Sequence, residues 1–165
     1  MGTKRVITLA LLGGAVFLAG GCGGGDKAQT AAGGQTQGAP AASAGDLTPF
    51  QMENGIGPIT EAITPGPIDQ AMAEKGKDVF EGKCSACHKM EEKYVGPALG
   101  AVTQRRTPAY IMNMILNPQE MYTRHPVAKQ LLAEHMTQMP NQQLTQEEAR
   151  QVLEYLRTQA PAESE

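Results

Sequence analysis

Cys84-Ser85-Ala86-Cys87-His88 is the stretch on which the reading of this chain turns. Its two cysteines stand three positions apart, a spacing that puts both on the same side of a helical turn. Both thiols can then reach the two vinyl groups of one porphyrin, and the adjacent histidine offers an imidazole nitrogen to its iron. Covalent attachment of one haem c is the direct reading of such a motif. The rival chemistries need more than the sequence contains. A zinc site calls for two further ligands, as a second Cys-x-x-Cys or a His-x₃₋₅-His, and His125 and His135 are ten apart. A thioredoxin-type pair calls for a βαβ setting, and no stretch alternates as a half-buried strand does.

Helical signals extend outward on both sides. Upstream, Asp69 can cap a helix that carries Lys77 and Phe80 toward the motif. Downstream, Thr107-Pro108 sets a cap before a proline at the first helical position, and Asn117-Pro118 ends that helix. His125-Pro126 opens another, with Val127, Leu131 and Leu132 on one face. Thr145 and Glu148 form a capping box, after which Ala149, Val152, Leu153 and Leu156 recur at helical spacing. The expected domain, 69–160, is all-α. A core of that size is marginal by itself, and a large apolar cofactor fixed inside it makes up much of the deficit.

The ends of the chain read differently. Residues 1–21 carry Lys4 and Arg5 and then an apolar run from Val6 to Ala19, the pattern of a signal peptide and too short for a comfortable membrane span. Ala19-Gly20-Gly21 before Cys22 resembles a bacterial lipobox, in which cleavage precedes lipidation of the cysteine. The large aliphatic residue usual three places before the cysteine is here Ala19, with Leu18 one earlier. Cleavage to a soluble periplasmic protein, or retention as an uncleaved anchor, are the alternatives. All three put the domain outside the cytoplasm. The three cysteines are then spoken for, Cys22 by lipid and Cys84 and Cys87 by haem, so none is left for a disulfide. From Cys22, residues 22–45 are mostly Gly, Ala, Gln, Ser and Thr, unable to bury enough surface to order themselves, and read as a flexible tether. Its typical span is roughly 25 Å, and roughly 75 Å at full extension. In 46–68, Pro49, Pro58, Pro65 and Pro67 forbid a long helix, while Leu47, Phe50, Met52, Ile56, Ile59 and Ile63 are too apolar for a free linker. The expectation is an extended N-terminal arm packed on the domain. An acidic tail, 161–165, follows. Net charge is −3, and −5 once Lys4 and Arg5 leave with the leader, which argues against nucleic acid as a partner.

Several features now stand in order: Gly76 and Phe80, then the Cys84-to-His88 motif, then Gly96-Pro97-Ala98-Leu99-Gly100, then Met139-Pro140 before a final helix bearing Tyr155 and Leu156. From about Ala71 to Gln159 the chain thereby resembles the class I (mitochondrial-type) monohaem cytochromes c, in a bacterial lipid-anchored form. The resemblance implies helices wrapped around one covalent haem c. It implies that Gly76 and Phe80 on the first helix pack against Tyr155 on the last. It implies that the Pro97 carbonyl accepts a hydrogen bond from the His88 imidazole, which would fix the ring and strengthen it as a donor. His88 would be the proximal iron ligand. For the distal ligand the family places a methionine on an irregular link, often before proline, which points to Met139 with Met136 as second choice. Met112 and Met114 read as core packing within a helix and Met121 as a weak candidate; His125 and His135 would offer bis-histidine ligation.

Arg105 and Arg106 could meet a haem propionate. Residues 71–160 carry 11 basic and 10 acidic side chains, so no lysine excess is present to steer a partner, and an apolar docking patch around the haem edge is expected. The function implied is a membrane-tethered electron carrier and not an enzyme, shuttling single electrons between respiratory complexes, from a quinol-oxidising complex to a terminal oxidase or reductase. It would act as a monomer, on the periplasmic side. Two other readings belong to different classes: a haem-based ligand binder or sensor with an open iron site, and a haem subunit of a larger redox enzyme.

Overall fold

The structure, a computed structural model, describes residues 47–161. The leader 1–21, Cys22 with its tether 22–45, and the tail beyond Pro161 lie outside the described residues. Seven helices and no strand occur among the described residues: α1 (Pro49–Asn54), α2 (Gln70–Lys83), α3 (Val102–Arg105), α4 (Pro108–Leu116), α5 (Pro118–Arg124), α6 (Pro126–His135) and α7 (Gln146–Thr158). None of these helices is long and apolar enough to cross a membrane.

The starts are set by local chemistry. The Asp69 carboxylate accepts from the Met72 N–H at 3.0 Å and opens α2. Thr107 caps α4 with Pro108 at its first position. Thr145 and Glu148 cap α7 reciprocally. Three helices were not expected from the sequence: α1, α5 and the four-residue α3, which has no side-chain cap to announce it. Asn117-Pro118 ends α4 but starts α5 at once, because a proline that closes one helix suits the first turn of the next. The arm is not extended throughout: Thr48 and Gln51 make a capping box, Pro49 takes the first position of α1, and Gly55 at φ 78° stops it. Its prolines exclude a long helix and promote a short one.

The most extensive helix pair is α2 on α7. Gly76 makes it possible: a Cβ there would lie 1.9 Å from the Gln151 carbonyl oxygen. One turn on, Phe80 meets Tyr155 with ring centroids 5.4 Å apart. Ile111, Met112 and Ile115 of α4 complete this core with Ala149, Val152, Leu153 and Leu156. Glu154 of α7 is fully buried between Arg150 and Arg157, which offset the cost of its charge, and Arg157 also donates to the Gly66 carbonyl at 2.7 Å.

A second cluster, Ile56, Tyr110, Met121, Tyr122 and Ala128, lies where the arm crosses α4 and α5. Here the domain grips the arm by its main chain. Asn113 donates to the carbonyls of Asn54 (2.9 Å) and Ile59 (3.0 Å) and accepts from the Ile59 N–H. Asn117 donates to the Ile56 carbonyl, and the Met121 sulfur accepts from the Ile56 N–H at 3.1 Å.

His125, 1% exposed, holds the arm in the same way, its Nε2 3.1 Å from the Met52 carbonyl and its ring edge-on to Tyr110. Burial pushes its pKa below the ordinary value; the Met52 and Gln51 backbones oppose this and Arg106 adds to it. The unfolded chain therefore binds a proton that the native state refuses. The resulting stability is complete above the unfolded value of about 6.5 and is lost as pH falls toward the depressed native one. Urea midpoints are expected to drop between about pH 7 and about pH 5, and His125→Gln, which can still donate to Met52, should flatten that slope.

Candidate functional site

The Cys84-to-His88 segment is a wound turn at the end of α2. Cys84 and Ser85 N–H groups both donate to the Phe80 carbonyl, and those of Cys87 and His88 both donate to the Cys84 carbonyl. Ser85 Oγ donates to Glu81 O at 2.7 Å. Cys84, Cys87 and His88 consequently line one cleft. Cys84 and Cys87 form no disulfide with each other, and burial pushes the Cys84 thiol up against the opposing effect of Lys83. Among the described residues no three His, Cys, Asp or Glu side chains are placed to hold a metal ion directly.

The loop after the motif folds back along it through Gly96 N–H to Cys87 O, Leu99 N–H to Lys89 O and Gly100 N–H to Met90 O. This return brings the Pro97 carbonyl oxygen to 3.1 Å from His88 Nδ1. A carbonyl only accepts, so Nδ1 carries the proton and Nε2 keeps its lone pair. Gly96 lies flat on the imidazole, and a Cβ there would come within 2.4 Å of Cε1. Burial lowers the His88 pKa, with the Pro97 carbonyl opposing and the charge of His135 assisting. The ring is therefore held neutral, the state in which imidazole binds metals.

The remaining lining comes mainly from α4, α6 and the irregular link between α6 and α7. Met139 lies on that link, half-buried and facing the cleft, with its N–H donating to Tyr122 Oη at 2.5 Å. The other candidates are placed unequally. Met136, at the end of α6 with φ 49°, is 88% exposed and outside the lining, which counts against it as the second choice. Met112 is buried in the core and Met121 is engaged with Ile56. Met114, read as core from its helical spacing, packs against the second cluster and also lines the cleft from α4. His125 is committed to the arm, whereas His135 lines the cleft with a buried Nδ1 that has no partner.

Arg105 and Arg106 both line the cleft, Arg105 donating to the Ala98 carbonyl and Arg106 lying over the Tyr110 ring at 5.3 Å. The Tyr110 hydroxyl is buried there without a partner. Tyr110 and Tyr122 were not singled out from the sequence; their helical spacing marks them as buried but does not say which cavity they edge.

Two accessible thiols, a neutral imidazole beside them and an otherwise largely aliphatic wall are the donor set and surroundings that a covalent haem c requires. The comparisons agree. The sequence pattern of the cytochrome c family matches residues 73–160. A cytochrome c-553-like protein of Synechocystis sp. is 32% identical; the match covers 30% of this chain and 59% of that protein's length. Among solved structures, cytochrome c from Rhodothermus marinus is 46% identical, with 68% of this chain and 97% of that one covered and a TM-score of 0.64. An engineered form of the Rhodothermus marinus protein bound to a carbene intermediate is 45% identical over 68% of this chain and 98% of its own, with a TM-score of 0.62. With a Cys-x-x-Cys-His turn opening on an apolar cleft and a family pattern spanning the folded domain, the chain belongs to the cytochrome c family, as a class I protein that carries one covalent haem c and transfers electrons.

Proposed function

We propose that this protein is a membrane-tethered carrier that takes single electrons from a quinol-oxidising complex and delivers them to a terminal oxidase or reductase. In this reading Cys84 and Cys87 hold the haem by thioethers, His88 Nε2 and the Met139 sulfur are the axial ligands, and Pro97 orients the imidazole. Bound haem c supplies the one-electron couple of its iron. The observation that carries the reading is that His88 and Met139 edge one cleft from two separately anchored segments. Two axial sites filled by the protein leave the iron a carrier, with little to move when its charge changes. Arg105, Arg106 and the Tyr110 hydroxyl are suited to receive the propionates.

The periplasmic, lipid-anchored placement rests on Lys4-Arg5, the Val6-to-Ala19 run and Cys22, and the reach of the shuttle on the tether 22–45. An apolar docking patch has support near the cleft. Val95 belongs to its lining and is partly exposed, Tyr94 beside it is more so, and Met136 stands out between the lining residues His135 and Thr137.

Carbon monoxide separates this function from its rival. Added to the native ferrous protein, it is expected to leave the absorption spectrum unchanged, and the electrode response to be one reversible one-electron wave. Prompt, saturable carbon monoxide binding would make the protein a haem-based ligand binder with an open iron. Recovery from membranes only as a stoichiometric complex would make it a subunit of a larger redox enzyme.

A further inference from the structure

From Thr137 to Pro140 the link before α7 has a single backbone hydrogen bond among the described residues, the one from Met139 N–H to Tyr122 Oη. Everything else that holds this stretch is apolar contact. Tyr122 itself is buried, 7% exposed, and stands on α5, a helix of seven residues pressed between α4 and α6. Its neighbour Met121 is fully buried and accepts the Ile56 N–H from the arm. His125, at the end of α5, takes the Met52 carbonyl of the same arm. One face of α5 is thus fastened to the arm through successive main-chain contacts, and the adjacent residue fastens the link.

We propose that Tyr122 is a positioning residue for the distal ligand: its hydroxyl, held by the arm through α5, fixes the Met139 backbone and so sets how rarely the methionine leaves the iron. The proposal rests on Met139 being that ligand. A hydroxyl that accepts from the backbone of the ligand residue acts at its anchor and leaves the sulfur free to coordinate. Within 137–140 this is the single polar tether, the next being the Asn141 side chain, which donates to the Leu116 carbonyl, so its loss loosens the segment that carries the ligand and leaves the rest of the cleft in place. Removing one buried partner costs more than the bond's net worth, because the Met139 N–H is left without an acceptor.

Tyr122→Phe removes the hydroxyl and keeps the ring that packs with Ile56, Tyr110 and Met121. The measurement is the rate and affinity with which added imidazole replaces the native ligand on the ferric holoprotein, beside the weak red charge-transfer band that reports methionine on the iron. In Tyr122→Phe imidazole is expected to enter roughly three- to tenfold faster, with the band retained in its absence. In a Met139→Ala background the same substitution should change neither rate nor affinity. An unchanged rate in Tyr122→Phe, or an equal acceleration in the Met139→Ala background, overturns the proposal, since the hydroxyl would then not act through Met139. A wild-type protein that lacks the band altogether instead overturns Met139 as ligand, and the two failures are read from different samples.

Discussion

Met139→Ala is expected to abolish the red charge-transfer band of the ferric protein and to open the ferrous iron to carbon monoxide. Haem attachment should survive, because the thiols and His88 are set by a turn bonded within 80–88 and by the returning loop at Gly96 and Pro97, none of which involves Met139. The potential should fall by on the order of 0.1 V, a fraction of the ~0.8 V range over which axial ligands move haem couples. Methionine favours the reduced iron and a weaker-field replacement does not. The structure also makes the alternative outcomes informative. If the band is absent but carbon monoxide still fails to bind, His135 has taken the vacated position, as its unpartnered Nδ1 in the cleft allows. If the band persists, Met114 is the residue to replace next, because it alone of the other methionines shares the cleft lining.

Gly76→Ala should be the most damaging single methyl group that can be added to the protein. The new carbon would fall 1.9 Å from the Gln151 carbonyl oxygen and 2.9 Å from the Val152 nitrogen, both main-chain atoms of α7 that no rotamer change can move aside. Relief requires α2 and α7 to separate. That separation would loosen the Phe80 and Tyr155 contact and the buried Val152 and Leu156 behind it. Overpacking of this kind costs about 3 kcal/mol or more, a large share of the 5–15 kcal/mol of a typical domain. A fall in melting temperature on the order of 10–20 °C follows for a domain of this size. Gly82, on the same helix, is the control: nothing lies within 4 Å of the Cβ it lacks, so Gly82→Ala should be neutral or slightly stabilising. Equal melting temperatures for the two variants would mean that the helices do not meet as described.

The contrast between those glycines explains what could be read from the sequence. Gly76 carried meaning only as part of an ordered set with Phe80, the haem motif and the final helix; alone it looked like Gly82. Helices with side-chain caps and sustained apolar spacing, α2, α4 and α7, announced themselves because their signals are local. α1 and α5 did not, because each is too short for periodicity and begins at a proline that reads first as a stop. The site divides the same way. Cys84, Cys87 and His88 are adjacent and chemically particular, so the motif declares them. Tyr110, Tyr122, Met114 and Met139 meet the cleft by tertiary placement, and a buried aromatic or methionine has the same sequence signature whether it fills a core or edges a cavity. His125 shows the limit well: a histidine before a proline was a candidate ligand, and it became a strut because the Met52 carbonyl, 73 residues away in sequence, comes to it.

The grip on the arm has an evolutionary corollary. Asn113, Asn117, His125 and Arg157 all engage carbonyl oxygens of the arm, and those are the same whatever side chains it bears. The strap can therefore drift in sequence while its seat cannot. Side chains matter most at its centre, where Gly55 is pinned by its φ of 78°, Gly57 because a Cβ would strike Asn113 Oδ1 at 2.4 Å, and Asn54 and Ile56 by their burial. Relatives should accordingly keep the two asparagines more faithfully than the residues they hold, and a leader of unrelated origin could be spliced onto this domain at the arm without disturbing the haem cleft.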